Sequence, residues 1–202
     1  MKRLVLVAAV SVLLVTGCSS GGDNTAAAGA DTASSAAPSV SAGAEPLLAR
    51  YGLAGKSTVE VIDRLDRLGL QDRPADLKAS VRASELVVSA GGQEHSLALP
   101  DDRFYLSVAP YVQRTHECFY HSLTTCKGEL VNTEVQVRVV DDASGKVLVD
   151  EAVTTFANGF VGFWLPRGMT GTLRIASGGK AAETKISTGP DAPTCLTTLQ
   201  MT

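Results

Sequence analysis

The sequence predicts an α+β protein that is mostly β: short N-terminal helices followed by an antiparallel β-sandwich or partly open barrel. Three observations predict it. Residues 46–70 carry apolar residues at helical spacing behind a capping box. From Leu77 the pattern changes to alternation with period two, cleanest from Val131 to Val139. Turn-forming Gly, Pro, Asn and Asp then interrupt the chain at short, even intervals.

The chain opens on Lys2 and Arg3, followed by an apolar run from Leu4 to Val15. The run is too short to span a bilayer and has the length of a signal-peptide core. Val15-Thr16-Gly17-Cys18 has the form of a bacterial lipobox, so residues 1–17 are expected to be removed and Cys18 to be lipidated. Residues 18–45 are Ala, Ser, Gly and Thr with scattered acids, and Val40 is the one large side chain before the fold. Such a stretch cannot bury enough surface to offset the entropy of ordering, and reads as a disordered tether. A single folded domain is expected over 46–202, helical in 46–70 and β in 77–202.

The first helix is expected from Pro46 to Tyr51, ending at Gly52. Ser57 and Glu60 form the capping box of the second. Its Val61, Ile62, Leu65 and Leu68 line one face, with Asp63, Arg64, Asp66 and Arg67 on the other, and Gly69 stops it. Leu77, Ala79 and Val81 then alternate with polar neighbours. Glu85–Ser89 and Glu94–Leu99 form a pair about Gly91-Gly92, and Phe104–Val112 follows, with Pro110 weakening its end. Val131–Val139 puts five β-branched residues on one face, and Asp142-Ala143-Ser144-Gly145 turns it into Lys146–Phe156. Further strands are expected around Phe160–Leu165, Thr170–Ala176 and Ala182–Ser187, with Phe160, Phe163 and Trp164 as core.

Net charge is −3, which argues against nucleic acid and against a basic membrane-binding surface. The chain has four cysteines. With Cys18 taken by lipid the remainder is odd, so one thiol outside a disulfide stays free, binds metal or cross-links to a partner.

Residues 116–126 concentrate ligand-capable side chains: His116, Cys118, His121 and Cys126. Thiolate and imidazole together suit copper or zinc rather than magnesium or calcium. If 116–118 is extended, His116 and Cys118 project from the same face. Cys195 in the C-terminal segment can close the site from another strand. Cu(I) is satisfied by two or three soft ligands, whereas Zn(II) prefers four. The competing reading is a disulfide, Cys118–Cys126 or either of them to Cys195, and the two readings are compatible because only a free thiolate is a good ligand.

The run His116-x-Cys118-x2-His121-Ser122-Leu123-Thr124-Thr125-Cys126-x-Gly128-Glu129-Leu130, with the late Thr194-Cys195, resembles the CueP family of periplasmic copper-binding proteins. Phe104 to Tyr111, Asn158-Gly159-Phe160 and Trp164-Leu165-Pro166 look like the same family. The resemblance spans most of 47–202. It implies an envelope protein that binds copper through Cys118, Cys126 and Cys195 with histidine nearby, contributes to copper tolerance, and supplies copper to a periplasmic superoxide dismutase. The lipobox and the Ala-rich tether depart from that pattern and suggest a different cell envelope.

His95, Met169 and Met201 read as surface or packing residues, and Asp101-Asp102 and Asp141-Asp142 as solvated turn acids. No catalytic motif is present. The leading expectation is a lipid-anchored, extracytoplasmic copper-binding protein, with Cu(I) preferred and zinc the alternative. Expected partners are the copper ion, a copper-accepting envelope protein such as a superoxide dismutase, and the membrane through the lipid alone; a homodimer stays open. The rivals are a thiol redox protein acting through the same cysteines, and a disulfide-stapled structural lipoprotein without metal.

Overall fold

The computed structural model describes residues 43–202, so the signal peptide, Cys18 and nearly all of the tether lie outside the described residues. Two helices lead, α1 (Glu45–Ala49) and α2 (Thr58–Asp66). Eleven strands follow: β1 (Lys78–Val81), β2 (Glu85–Ala90), β3 (Gln93–Ala98), β4 (Arg103–Val108), β5 (His121–Ser122), β6 (Glu134–Asp141), β7 (Val147–Thr154), β8 (Val161–Pro166), β9 (Thr170–Ser177), β10 (Lys180–Ser187) and β11 (Cys195–Leu196). They form three sheets, ordered β3-β2-β1-β5, β10-β9-β6-β7 and β11-β4-β8. All pairings are antiparallel except β11 with β4. The class is the expected mostly-β sandwich, and no sheet closes into a barrel.

The β11-β4-β8 sheet is the middle layer. Alternation along β4 sends Phe104, Leu106 and Val108 into a core shared with Val135, Val137 and Val139 of β6 and with Leu173 and Ile175 of β9. It sends Tyr105 the other way, into a core built from α1, α2 and β1–β3. Each fully buried aliphatic or aromatic side chain in these cores contributes about 1.5–3 kcal/mol relative to exposure.

The capping box of α2 forms as expected, with Glu60 N–H donating to Ser57 Oγ and Ser57 N–H to the Glu60 carboxylate. One assignment on this helix is corrected. Asp66 is not on the polar face but fully buried, continuing the inward stripe of Thr58, Val61, Ile62 and Leu65. α1 begins one residue earlier than expected, and the buried Ala44 precedes it. β4 stops at Val108, two residues before Pro110, which has no N–H to extend a ladder. β6 starts at Glu134 rather than Val131, because Asn132 adopts φ 48°, a left-handed conformation that ends the extended run and leaves Val131 exposed. Phe160 and Phe163 are buried as expected, whereas Trp164 is half-buried and donates its indole N–H to Asp63 Oδ1 at 3.0 Å. Among the described residues no helix is long and apolar enough to cross a membrane.

Candidate metal centre

The cysteine and histidine side chains meet where two sheet edges converge. β5, carrying His121, is the edge strand beside β1, with His121 paired to Val81. β11, carrying Cys195, is the edge strand beside β4, with Cys195 paired to Ser107. Thr194 fastens the two edges: its hydroxyl donates to Val81 O at 2.6 Å and accepts from His121 N–H at 3.0 Å. Phe119 O accepts from both Thr194 N–H and Cys195 N–H, which brings Cys118 alongside Cys195. The 122–126 turn is closed by Cys126 N–H donating to Ser122 O at 3.1 Å, while Ser122 N–H points at Cys126 Sγ at 3.4 Å. Arg73 donates to Cys126 O at 2.7 Å. Glu129 accepts from the N–H groups of Val112, Gln113 and Arg114, fixing the segment that leads to His116.

The three sulfurs gather at one point. Cys118 and Cys195 form a disulfide across 77 residues, with their Cα atoms 5.6 Å apart. Cys126 is a buried free thiol whose sulfur lies 3.4 Å from that of Cys118. Cys195 Sγ lies 3.6 Å from His121 Nδ1. Bonds of about 2.3 Å to sulfur and 2.0–2.1 Å to nitrogen around one metal ion put neighbouring donors roughly 3.5–4 Å apart, so these separations suit shared coordination once the disulfide is reduced. His116 lies beside Cys118 and Cys126, with one donor atom of each within 4.8 Å of the others. Its Nε2 is buried without a hydrogen-bond partner, a desolvated nitrogen that a bound cation would satisfy. His95 belongs to neither donor set; Met169 is buried and Met201 packs in the core of the β4–β6 layer.

The residues of the family motif are thus assembled in space, and the family comparison agrees with them. The family model described as periplasmic copper-binding protein CueP matches residues 60–200.

The chain belongs to the CueP family. A crystal structure of S.CueP is 44% identical, covers 78% of this chain and 96% of its own, and superposes with a TM-score of 0.74. No curated protein matches the chain. The family description supports an extracytoplasmic location.

The cysteine–histidine cluster has a floor that the motif does not contain. Asp66, at the end of α2, lies 2.8 Å from His121 Nε2 and also accepts from Tyr105 Oη at 2.6 Å, Ser107 Oγ at 3.3 Å and Asn158 Nδ2 at 2.9 Å. With Nε2–H donated to Asp66, the other ring nitrogen of His121 faces the sulfurs. This is the carboxylate–histidine arrangement that orients metal-ligating imidazoles. Burial pushes the Asp66 carboxyl up, but the His121 charge and the hydrogen bonds from His121, Tyr105 and Asn158 outweigh it and hold the group below its usual range. Burial would lower His121; the Asp66 charge and hydrogen bond, with smaller help from Cys126, prevail and raise it to about 9. Burial raises the Cys126 thiol, yet the hydrogen bond and charge of His121, Ser122 N–H and Arg73 bring it below its ordinary value.

A pH dependence follows for the disulfide-bonded protein. The His121 contribution is fully present below its unfolded value of 6.5 and is lost as pH rises through about 9. Cys126, depressed in the fold, acts in the opposite sense over the same range. In a Cys126→Ser protein that opposition is gone, together with the part of the His121 shift that Cys126 supplies, so urea unfolding should show stability falling by roughly 1–2 kcal/mol as pH rises from 6.5 to 9 on the Asp66 pairing that remains. A flat profile in that variant would contradict a charged, buried His121.

Proposed function

We propose that this protein captures Cu(I) outside the cytoplasm and holds it, or passes it to an acceptor such as an envelope superoxide dismutase, through Cys118, Cys126 and Cys195 with His116 and His121 as nitrogen donors. Lipid on Cys18 and the Ala-rich tether keep it at the membrane. The observation that carries the reading is the convergence of all three sulfurs with two imidazoles, a soft donor set that favours Cu(I) over hard cations. The disulfide occupies two of the three sulfurs, so loading requires its two-electron reduction to the dithiol. Anaerobic titration of the reduced protein with Cu(I) against a competing chelator tests the reading. Tight binding is expected in the native chain, and its loss is expected when all three cysteines become serine. Binding that survives the triple substitution refutes the ligand assignment.

A second reading is favoured by the Cys118–Cys195 disulfide beside a free Cys126: stoichiometric reduction of copper, in which two thiolates join as a disulfide and two Cu(II) become two Cu(I). Counting thiols by mass spectrometry before and after Cu(II) addition separates the two. Two thiols lost per two Cu(I) formed supports reduction, and an unchanged thiol count removes it.

A further inference from the structure

The donors fall into two overlapping sets. His116, Cys118 and Cys126 each place one donor atom within 4.8 Å of the others, and so do His121, Cys126 and Cys195. Cys126 belongs to both. Each set offers two sulfurs and one nitrogen, which is a complete ligand set for Cu(I). The sets differ in access. His121 is fully buried and Cys195 is 2% exposed. His116 and Cys118 are half-buried, and with Cys126 they line an open cavity of about 780 Å³.

They also differ in preorganisation. His121 is fixed by Asp66, which is itself held by Tyr105 and Asn158, so its Nδ1 is already aimed at the sulfurs and needs only to lose its proton to ligate. His116 has no such support: its Nε2 is unpartnered and its ring only edges onto Phe160, with centroids 6.3 Å apart. An oriented imidazole ligates more tightly, and an unsupported one exchanges more easily.

Resting on the copper reading above, we propose that the reduced protein has two successive copper stations that share Cys126. The outer station, His116 with Cys118 and Cys126, takes up and releases Cu(I) at the cavity. The inner station, His121 with Cys126 and Cys195, holds it. One ion passes between them by ligand exchange, with no change of oxidation state. The Cys195 thiolate adds as Cys118 leaves, Cys118 taking up the proton that Cys195 gives up; His121 loses its Nδ1 proton to solvent as it replaces His116, and the bond to Cys126 persists. Thiol protons go to solvent on loading and return on release. The Cys118–Cys195 disulfide takes one sulfur from each station, so oxidation closes both together.

The test uses the fully reduced protein under anaerobic conditions, with bathocuproine disulfonate as the competing Cu(I) chelator. Equilibrium competition gives affinity, and stopped-flow mixing gives the rate of copper exchange with the chelator. His116→Ala is expected to keep its affinity within about threefold while exchange slows at least tenfold. His121→Ala is expected to lose roughly 10–100-fold in affinity while exchange stays fast. His116 is half-buried and hydrogen-bonds nothing through Nε2, so its variant decides the matter even if His121→Ala does not fold. A His116→Ala protein with unchanged exchange, or with affinity lowered as much as in His121→Ala, overturns the two-station proposal while leaving copper binding intact. A native protein that takes no Cu(I) from the chelator overturns both.

Discussion

Replacing Asp66 by alanine is expected to lower the stability of the disulfide-bonded protein by about 3–5 kcal/mol, because it strands a buried charge. Asp66 and His121 are both fully buried and meet at 2.8 Å. Without the carboxylate, His121 has no counter-charge and must give up its proton. Tyr105 Oη and Ser107 Oγ lose an acceptor at the same time, while Asn158 Nδ2 keeps its bond to the Asp66 carbonyl. Each donor left buried and unpaired costs about 1–3 kcal/mol unless water or a shift rescues it. Asp66→Asn separates charge from shape: the amide oxygen can still accept from His121, so a smaller loss, about 1–3 kcal/mol, is expected. Urea unfolding at pH 6.5 with the disulfide intact measures both. A loss below about 1 kcal/mol for the alanine variant is incompatible with a paired, buried carboxylate.

Asp66 is also the residue of the site least visible in the sequence. The cluster of His116, Cys118, His121 and Cys126 is legible because nothing else in the sequence concentrates ligand-capable side chains in this way, with Cys195 the remaining cysteine. Asp66 is inconspicuous because an acid beside Arg64 and Arg67 resembles a solvated helix face. The signal it does carry is positional. Thr58, Val61, Ile62, Leu65 and Asp66 follow the i, i+3, i+4, i+7, i+8 rule of a single inward stripe, so a carboxylate sits where the helix buries itself. A charge on an apolar stripe implies partners elsewhere, here supplied by β4 and β5 and by the segment before β8.

The fold divides the same way. Strands with local partners, such as β2 with β3 and β9 with β10, were readable from alternation and turn glycines, because their register is set by the turn. The β11–β4 pairing was not. It is a parallel match of only two residues between distant parts of the chain, too short to carry a period. The middle layer was equally invisible. β4 is buried on both faces, and a run without polar alternation does not say which core each residue enters. Whether one sheet or three formed was therefore undetermined, although the sandwich class was not.

The strongest constraint on the cluster's shape comes from two glycines. Substituting Gly159 by alanine is expected to destabilise the protein by about 3 kcal/mol and to expose the Cys126 thiol. Gly159 adopts φ 82°, and a Cβ there would press on the backbone carbonyl and Cα of Gly128. Neither obstacle is a side chain that can swing aside. The left-handed backbone alone costs about 1–2 kcal/mol for alanine, and forced overpacking adds about 1–3 kcal/mol. Gly92→Ala calibrates the first part, since Gly92 has φ 78° and open space around it. The excess of Gly159→Ala over Gly92→Ala is the cost of separating the two strands of backbone. That separation reaches the site directly. Gly128 N–H donates to Asn158 O at 2.7 Å, two residues from Cys126, and Asn158 also donates to Asp66. Prying the glycines apart loosens the cysteine turn and the carboxylate floor together. An aromatic disulfide reagent should therefore react with Cys126 at least tenfold faster in Gly159→Ala than in Gly92→Ala. Equal stabilities and equal thiol reactivities in the two variants would mean that the close backbone contact does not hold the cysteine cluster in place.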